Sequence, residues 1–344
     1  MQVDVVADER LAALLRDYPL SDRWLHPSLY VDTVRIGSVA INLCGLVAGK
    51  DEATLTGSAA EVGGDPLTRA FFELVERTSV LDFVADARGP LDVFDGLGRV
   101  LDKRHVPELF PDDAGAGQRY SKSNGVAAGR TWDEACTAAR AELVERDRVL
   151  RSWYGEIDPV RSTLPDHSHI EALRSEYEWS AYVFPTRDPS AQLAVAGVFA
   201  FPRAATAPLA FGFGASANVV DARDKAGKEC VQRLGFLWGE DLPGSEPPFE
   251  PSAEYHQEFY LRPSMHERVR SWLEGVHGQT PCKLDRFGFQ ATQPEFVDIT
   301  PGQLRGRLFV VRALASSELQ LVFGRGHPRV VGPVSERFLI HPLP

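Results

Sequence analysis

A short helical signature, Glu-x-x-Glu/Gln-Arg, occurs three times: Glu73 to Arg77, Glu142 to Arg146 and Glu229 to Arg233. On a helix, residues at i, i+3 and i+4 share one face, so each signature sets two carboxylates, or a carboxylate and the Gln232 amide, beside a guanidinium. Taken singly, such a face is an ordinary solvated pairing that adds little to stability. Three faces turned toward one cavity would instead gather Glu73, Glu76, Glu142, Glu145 and Glu229. So dense an acidic cluster repels itself unless cations fill it. Oxygen ligands from carboxylates suit Mg2+, which normally comes with substrate phosphates, and these five glutamates are the candidate metal ligands. Arg77 and Arg146 either orient the glutamates or touch phosphate oxygens.

Other chemistry is poorly supported. Gly45 to Asp51 is one residue short of a P-loop and has Asp51 in place of Ser or Thr. Gly212 to Ala217 follows an apolar strand as a dinucleotide-binding turn does, but its glycines stand ahead of the expected helix start near Asp221. His167-Ser168-His169 puts two imidazoles on one side of an extended segment, and without a nearby third ligand a surface turn is the expectation. No Gly-x-Ser-x-Gly elbow is present.

The signature belongs to a longer repeat. Gly57-Ser58-Ala59-Ala60, Gly125 to Gly129 and Gly214-Ala215-Ser216-Ala217 each lead to their glutamate after about sixteen residues, so one structural unit is expected to be used three times. Its helices are expected over about residues 66–85, with Pro at the start, over 131–153, opened by a capping box from Thr131 to Glu134, and over 221–238. In the first, Leu67, Phe71, Leu74 and Val75 form the opposite, core-facing stripe. Further helices are expected near 9–17, 170–177 and 264–276, with a turn-rich stretch over 239–251. A β-rich stretch over 34–49, short strands within 89–117, and strands over 182–184, 193–201, 209–213, 296–299, 307–315, 319–323 and 337–340 complete the pattern.

With 344 residues, 44% of them hydrophobic, the chain can bury one large core or two modest ones. No apolar run approaches the roughly 18 residues of a membrane span, and Met1 to Glu9 lacks the basic start and apolar core of a signal peptide, so a cytoplasmic location is expected. Cys44, Cys136, Cys230 and Cys282 lie far apart with no Cys-x-x-Cys pair, which argues against a disulfide framework or zinc knuckle. A net charge of -11 without a basic block excludes nucleic acid as the natural partner.

Ser123 to Thr131, running through Glu142-Leu143-Val144-Glu145-Arg146-Asp147, resembles the most recognisable motif of the YcaO family. The resemblance extends to the other two repeats, to Phe296 to Thr300 and to Gly306 to Arg312, which look like the family's closing strands. It implies an α+β fold of mixed sheets flanked by helices, with three pseudo-repeated units and a YcaO domain over residues 50–344 behind an N-terminal segment, 1–49. It implies ATP held through Mg2+, with Glu73, Glu76, Glu142, Glu145 and Glu229 as the metal and phosphate shell. Arg77, Asn124, Glu142, Arg146, Glu229 and Gln232 would bind the nucleotide, Gln232 being a weaker ligand than the Glu of the other copies.

The reaction implied is azoline formation in a ribosomally made precursor peptide. A Cys, Ser or Thr side chain attacks the preceding backbone carbonyl, the oxyanion takes the γ-phosphate of ATP, and phosphate is eliminated. Leu339 to Pro344 resembles the Pro-x-Pro-x-Pro tail of azoline-forming members, with Ile340 in place of the first proline. The Pro344 carboxylate is then the candidate base, and Arg146 the other candidate catalytic group. The length leaves no room for a fused leader-binding domain, so a separate ThiF-like or leader-binding partner is expected, with a homodimer as the family's habit. The rivals are thioamide formation with a TfuA-type partner and a non-catalytic scaffold. The five repeat glutamates argue against the scaffold.

Overall fold

The computed structural model describes residues 5–50, 53–115, 117–186, 192–275, 283–284, 294–315, 317–331 and 335–344; Cys282 lies outside them. The first part of the chain runs α1 (Val5–Asp17), β1 (Ser28–Ile36), β2 (Val39–Lys50), β3 (Ala53–Val62), α2 (Leu67–Asp86), β4 (Leu91–Phe94), β5 (Val100–Arg104) and α3 (Val106–Leu109). The middle runs β6 (Asp113–Gly115), β7 (Gln118–Tyr120), β8 (Val126–Gly129), α4 (Trp132–Trp153), β9 (Val160–Ser162), α5 (Ser168–Ala172), β10 (Tyr177–Val183), β11 (Ala194–Pro202), β12 (Ala210–Ser216) and α6 (Val219–Leu237). The rest comprises α7 (Ala253–Leu261), α8 (His266–Leu273), β13 (Lys283–Leu284), β14 (Glu295–Asp298), β15 (Phe309–Leu314), β16 (Val322–Phe323) and β17 (Val330–Val331).

The larger antiparallel sheets have the orders β1-β2-β3, β12-β11-β10-β9 and β5-β4-β14-β15-β8, and the architecture is α+β as expected. Each of the three signature helices follows a strand at a sheet edge: α2 follows β3, α4 follows β8 and α6 follows β12. Each then packs back on its strand at a distance only glycine allows. A Cβ on Gly57 would stand 2.1 Å from the Ala70 carbonyl oxygen, one on Gly129 2.5 Å from the Ala135 nitrogen, and one on Gly212 2.3 Å from the Cys230 nitrogen. The Gly- and Ala-rich approach is therefore a packing requirement, backbone lying against backbone. Gly212→Ala should cost about 3 kcal/mol of stability through overpacking, read as a lower denaturant midpoint with an unchanged slope.

Caps set the helix starts. Thr131 and Glu134 form the expected capping box, the Thr131 hydroxyl accepting from the Glu134 amide at 3.2 Å. Asn218 caps α6, which begins two residues ahead of the expected Asp221. Elsewhere the chain differs from expectation. The helix expected over 170–177 stops at Ala172, because Tyr177 is drawn wholly into the core as the first residue of β10. Residues Glu336–Phe338 form a single 3-10 turn where a strand was expected. α7 was not anticipated, since its buried Tyr255, Phe259 and Tyr260 follow a turn-rich stretch.

Among the described residues the apolar interior divides into four clusters, where one large core or two modest ones were expected. An aromatic cluster holds Trp153, Phe184, Phe199 and Trp272, while Leu11 and Trp24 share another with Phe71 and Leu74. The expected boundary at residue 49 falls within the paired strands β2 and β3, where Gly49 lies opposite Thr54. Cys44, Cys136 and Cys230 are buried and free. Among the described residues no helix is long and apolar enough to cross a membrane.

Candidate functional site

α2, α4 and α6 turn their signature faces to one cavity of about 840 Å³, lined by Glu73, Glu142, Glu145, Glu229 and Gln232. The first glutamate of each signature accepts a backbone N–H from just ahead of its own helix. Glu73 takes the Ser58 amide at 2.7 Å, Glu142 the Gly125 amide, and Glu229 the Phe213 amide at 3.1 Å. Two of them are clamped by the arginine one turn on, Arg77 to Glu73 at 2.6 Å and Arg146 to Glu142 at 2.5 Å. The strand thus fixes one carboxylate oxygen and the helix the other.

Glu76 is not among the lining residues. It accepts the Ala128 amide of β8 at 2.7 Å, tying α2 to the strand ahead of α4. Gln232 accepts from Arg69 at 3.0 Å and donates to the Ser58 carbonyl at 3.5 Å, tying α6 to α2 and β3. Among the described residues, Glu145 takes no hydrogen bond, so its carboxylate faces the cavity with both oxygens free to ligate. Asn124, 1% exposed, accepts from Arg146 at 3.2 Å and lies behind this wall rather than on it.

Desolvation pushes the Glu76 carboxyl up to about 8, against the Ala128 hydrogen bond and with added repulsion from Glu142 and Glu73. Glu142, Glu145 and Glu229 are raised as well, first by desolvation. Glu229 raises Glu145 further, whereas Arg146 opposes the rise in all three. By surface exposure Glu229 is open and the other glutamates half-buried, so the cavity opens to solvent and the desolvation comes from crowding by protein at its walls. The cluster therefore favours protons or cations.

The donor set fits a hard cation beside phosphates: carboxylate oxygens, no sulfur, and a cavity of nucleotide size. Among the described residues no three His, Cys, Asp or Glu side chains stand preassembled around an ion position, each first glutamate being held separately by its own amide. Arg69, Lys225, Lys228 and His169 also line the cavity, together with Glu61. The signature did not flag them, although Arg69 and Lys225 lie one helical turn ahead of Glu73 and Glu229 and share their faces.

His169 lines the cavity, while His167, which caps α5, pairs with Asp224 and lies 4.9 Å ring to ring from His169, so the pair sits at a helix start and not in a surface turn. Residues 45–50 of the P-loop-like segment are strand β2, and 212–216 of the dinucleotide-like segment are strand β12. The C-terminal tail is anchored in the aromatic core. Tyr260 donates to the Ile340 carbonyl at 2.5 Å, the His256 ring meets the His341 carbonyl at 2.9 Å, and Leu343 is 5% exposed. Pro344 is not among the residues lining the acidic cavity.

Residues 103–295 match the family model described as YcaO cyclodehydratase, ATP- and Mg2+-binding. No curated protein matches the chain by sequence. Among solved structures, YcaO from Methanopyrus kandleri bound with AMPPCP and Mg2+ is similar at 19% identity, 90% coverage of each chain and a TM-score of 0.59. A chain of the E. coli microcin synthetase McbBCD complex is similar at 11% identity, covering 92% of this chain and 96% of that one, with a TM-score of 0.57. A heterocyclase in complex with substrate and cofactor is similar at 15% identity over 88% of this chain and 52% of that one, with a TM-score of 0.50. At these identities the structural likeness is one of fold.

Proposed function

The chain belongs to the YcaO family of ATP- and Mg2+-binding proteins, and we propose that it is a cyclodehydratase that converts Cys, Ser or Thr of a ribosomally made precursor peptide to azolines. The observation that carries this reading is the meeting of three Glu-x-x-Glu/Gln-Arg faces at one cavity of about 840 Å³. We take the three strand-to-helix passages as one unit used three times, within a YcaO domain of residues 50–344 behind the segment 1–49.

Glu73, Glu142, Glu145 and Glu229, with Glu76 beside them, are the proposed Mg2+ shell, Glu145 contributing the freest carboxylate. When bound, Mg2+ and ATP supply the phosphoryl group and the positive charge that the cluster lacks. Arg77 and Arg146 keep the first glutamates aimed, and Arg146 also bears on the transferred group. Gln232 binds the nucleotide from the cavity wall, and Asn124, behind that wall, serves the nucleotide site by accepting from Arg146. The tail, unlike a frayed terminus, is pinned at Ile340 and His341, which would hold the Pro344 carboxylate in place as the base.

A separate partner, ThiF-like or otherwise leader-binding, would present the peptide in the cytoplasm, in keeping with the likeness to a chain of the multi-protein microcin synthetase complex. Mass spectrometry of candidate precursor peptides, incubated with partner, ATP and Mg2+, tests the reading. Loss of one water per ring with matching ATP turnover is expected. Replacement of an amide oxygen by sulfur when sulfide is supplied would assign thioamide formation instead, and absence of any ATP turnover would reject catalysis.

A further inference from the structure

Behind the acidic cavity lies a second, much smaller void of about 30 Å³, between the start of β8 and the end of β15. Three of the residues that border it carry a buried polar atom with no hydrogen-bond partner among the described residues: Arg312 Nε, Asn124 Nδ2 and Gln320 Oε1. Two are donors and one an acceptor. Arg312 is 2% exposed, its guanidinium lying 4.1 Å over the Phe110 ring and donating to the Lys122 carbonyl at 2.5 Å. The orientation of the Asn124 amide follows from Arg146, which donates to its oxygen and so leaves the nitrogen unmet. Two other groups bordering the void are already engaged, Arg104 with Glu295 at 2.8 Å and Glu108 with the His105 amide at 3.2 Å.

A polar void of this size suits one water, and one water has the capacity these three atoms call for, accepting from two donors, Arg312 and Asn124, and donating to one acceptor, Gln320. We propose that the void is a built site for a single ordered water held by Arg312, Asn124 and Gln320. Through it, Arg312 and Gln320 act as positioning residues for Asn124 and, by way of Arg146, for Glu142. The water site stands on the geometry alone; its effect on the nucleotide rests on the function proposed above. Arg312 reaches the same carboxylate through space, its charge opposing the upward push on Glu142. The wall of the nucleotide site is thus held from behind, by groups that never touch the nucleotide.

The test combines a crystal structure of the nucleotide-free protein, at a resolution that shows ordered water, with calorimetry using Mg2+ and a non-hydrolysable ATP analogue. Density for one water bonded to all three groups is expected in the parent, and none in Gln320→Leu. Arg312→Met and Gln320→Leu should each weaken analogue binding by about tenfold, the usual consequence of losing a hydrogen bond held in a network. Arg312→Lys should recover part of the loss. Gln320 is half-buried, so its variant keeps the question open to measurement even if Arg312→Met fails to fold. An empty void in the parent overturns the site. A filled void with unchanged analogue affinity in both variants overturns the positioning role. A parent that binds no analogue rejects the proposed function and the positioning role together, while the density still decides the water.

Discussion

Glu142→Gln is expected to lower ATP turnover by about a thousandfold while leaving the melting temperature close to that of the parent, because relief of the crowded charge offsets one lost hydrogen bond. The two effects separate because the substitution removes a charge and keeps a shape. The single amide oxygen keeps one of the two bonds, from Gly125 or from Arg146, and the side chain keeps its volume, so the strand-to-helix packing persists. What disappears is the anionic ligand. In the fold the Glu142 carboxyl is raised, first by desolvation, against Arg146, the Gly125 amide and Arg312. A carboxyl raised above its unfolded value contributes stability below that value and loses it as pH rises through the folded one. At neutral pH the charge therefore destabilises, and a neutral isostere relieves it. Phosphate release and thermal unfolding, measured side by side, check this. Unchanged turnover would remove Glu142 from the metal shell, and a collapsed melting temperature would make its role structural.

How far the sequence revealed this site has a physical answer. The repeat was legible because both its ends answer to the same contact. In the first and third copies Gly57 and Gly214 let a helix backbone lie on its strand, and that closeness brings the glutamate about sixteen residues on within reach of a strand amide. A residue type and a spacing are then required together, and both can be read in one dimension. The cavity's cationic side was not legible. Arg69 and Lys225 sit just outside the signature, and His169 comes from α5, a separate element whose place beside α6 depends on the sheet β12-β11-β10-β9. The same limit hid the small void, since Arg312 is brought to it by the pairing of β15 with β8, and Gln320 by the pairing of β16 with β7, where the Ser121 amide donates to the Leu321 carbonyl at 2.9 Å.

The tail shows the limit from the other side. Phe338-Leu339-Ile340 reads as a short apolar strand, yet among the described residues it pairs with no strand, because Phe338 and Ile340 sink into the aromatic cluster around Trp153 and Trp153 donates to the Phe338 carbonyl at 2.9 Å. Burial on all sides replaces a ladder with side-chain donors such as Tyr260. Periodicity distinguishes faces only where a segment has an outside face.

Arg146→Met should damage both fold and turnover, in contrast to the change at Glu142. Arg146 opposes the rise of Glu142, Glu145 and Glu229 together, and its guanidinium joins the Glu142 carboxylate to the Asn124 amide at 3.2 Å. Removing it leaves crowded carboxylates without their shared cation. A buried pair broken this way costs more than a surface one, and with 22% of the Arg146 side chain still exposed, about 2 kcal/mol is expected. Millimolar Mg2+ should return much of that loss by mass action, because a cation binding the native cluster does the work of the missing charge. Arg146→Lys should keep most of the stability and little of the turnover, since an ammonium supplies the charge without the planar fork that reaches Glu142 and Asn124 at once. Melting curves of the three proteins with and without Mg2+, set beside phosphate release, separate charge from geometry. If Arg146→Met melts and turns over as the parent does, the three helices do not share an electrostatic centre, and the nucleotide has to be sought elsewhere in the fold.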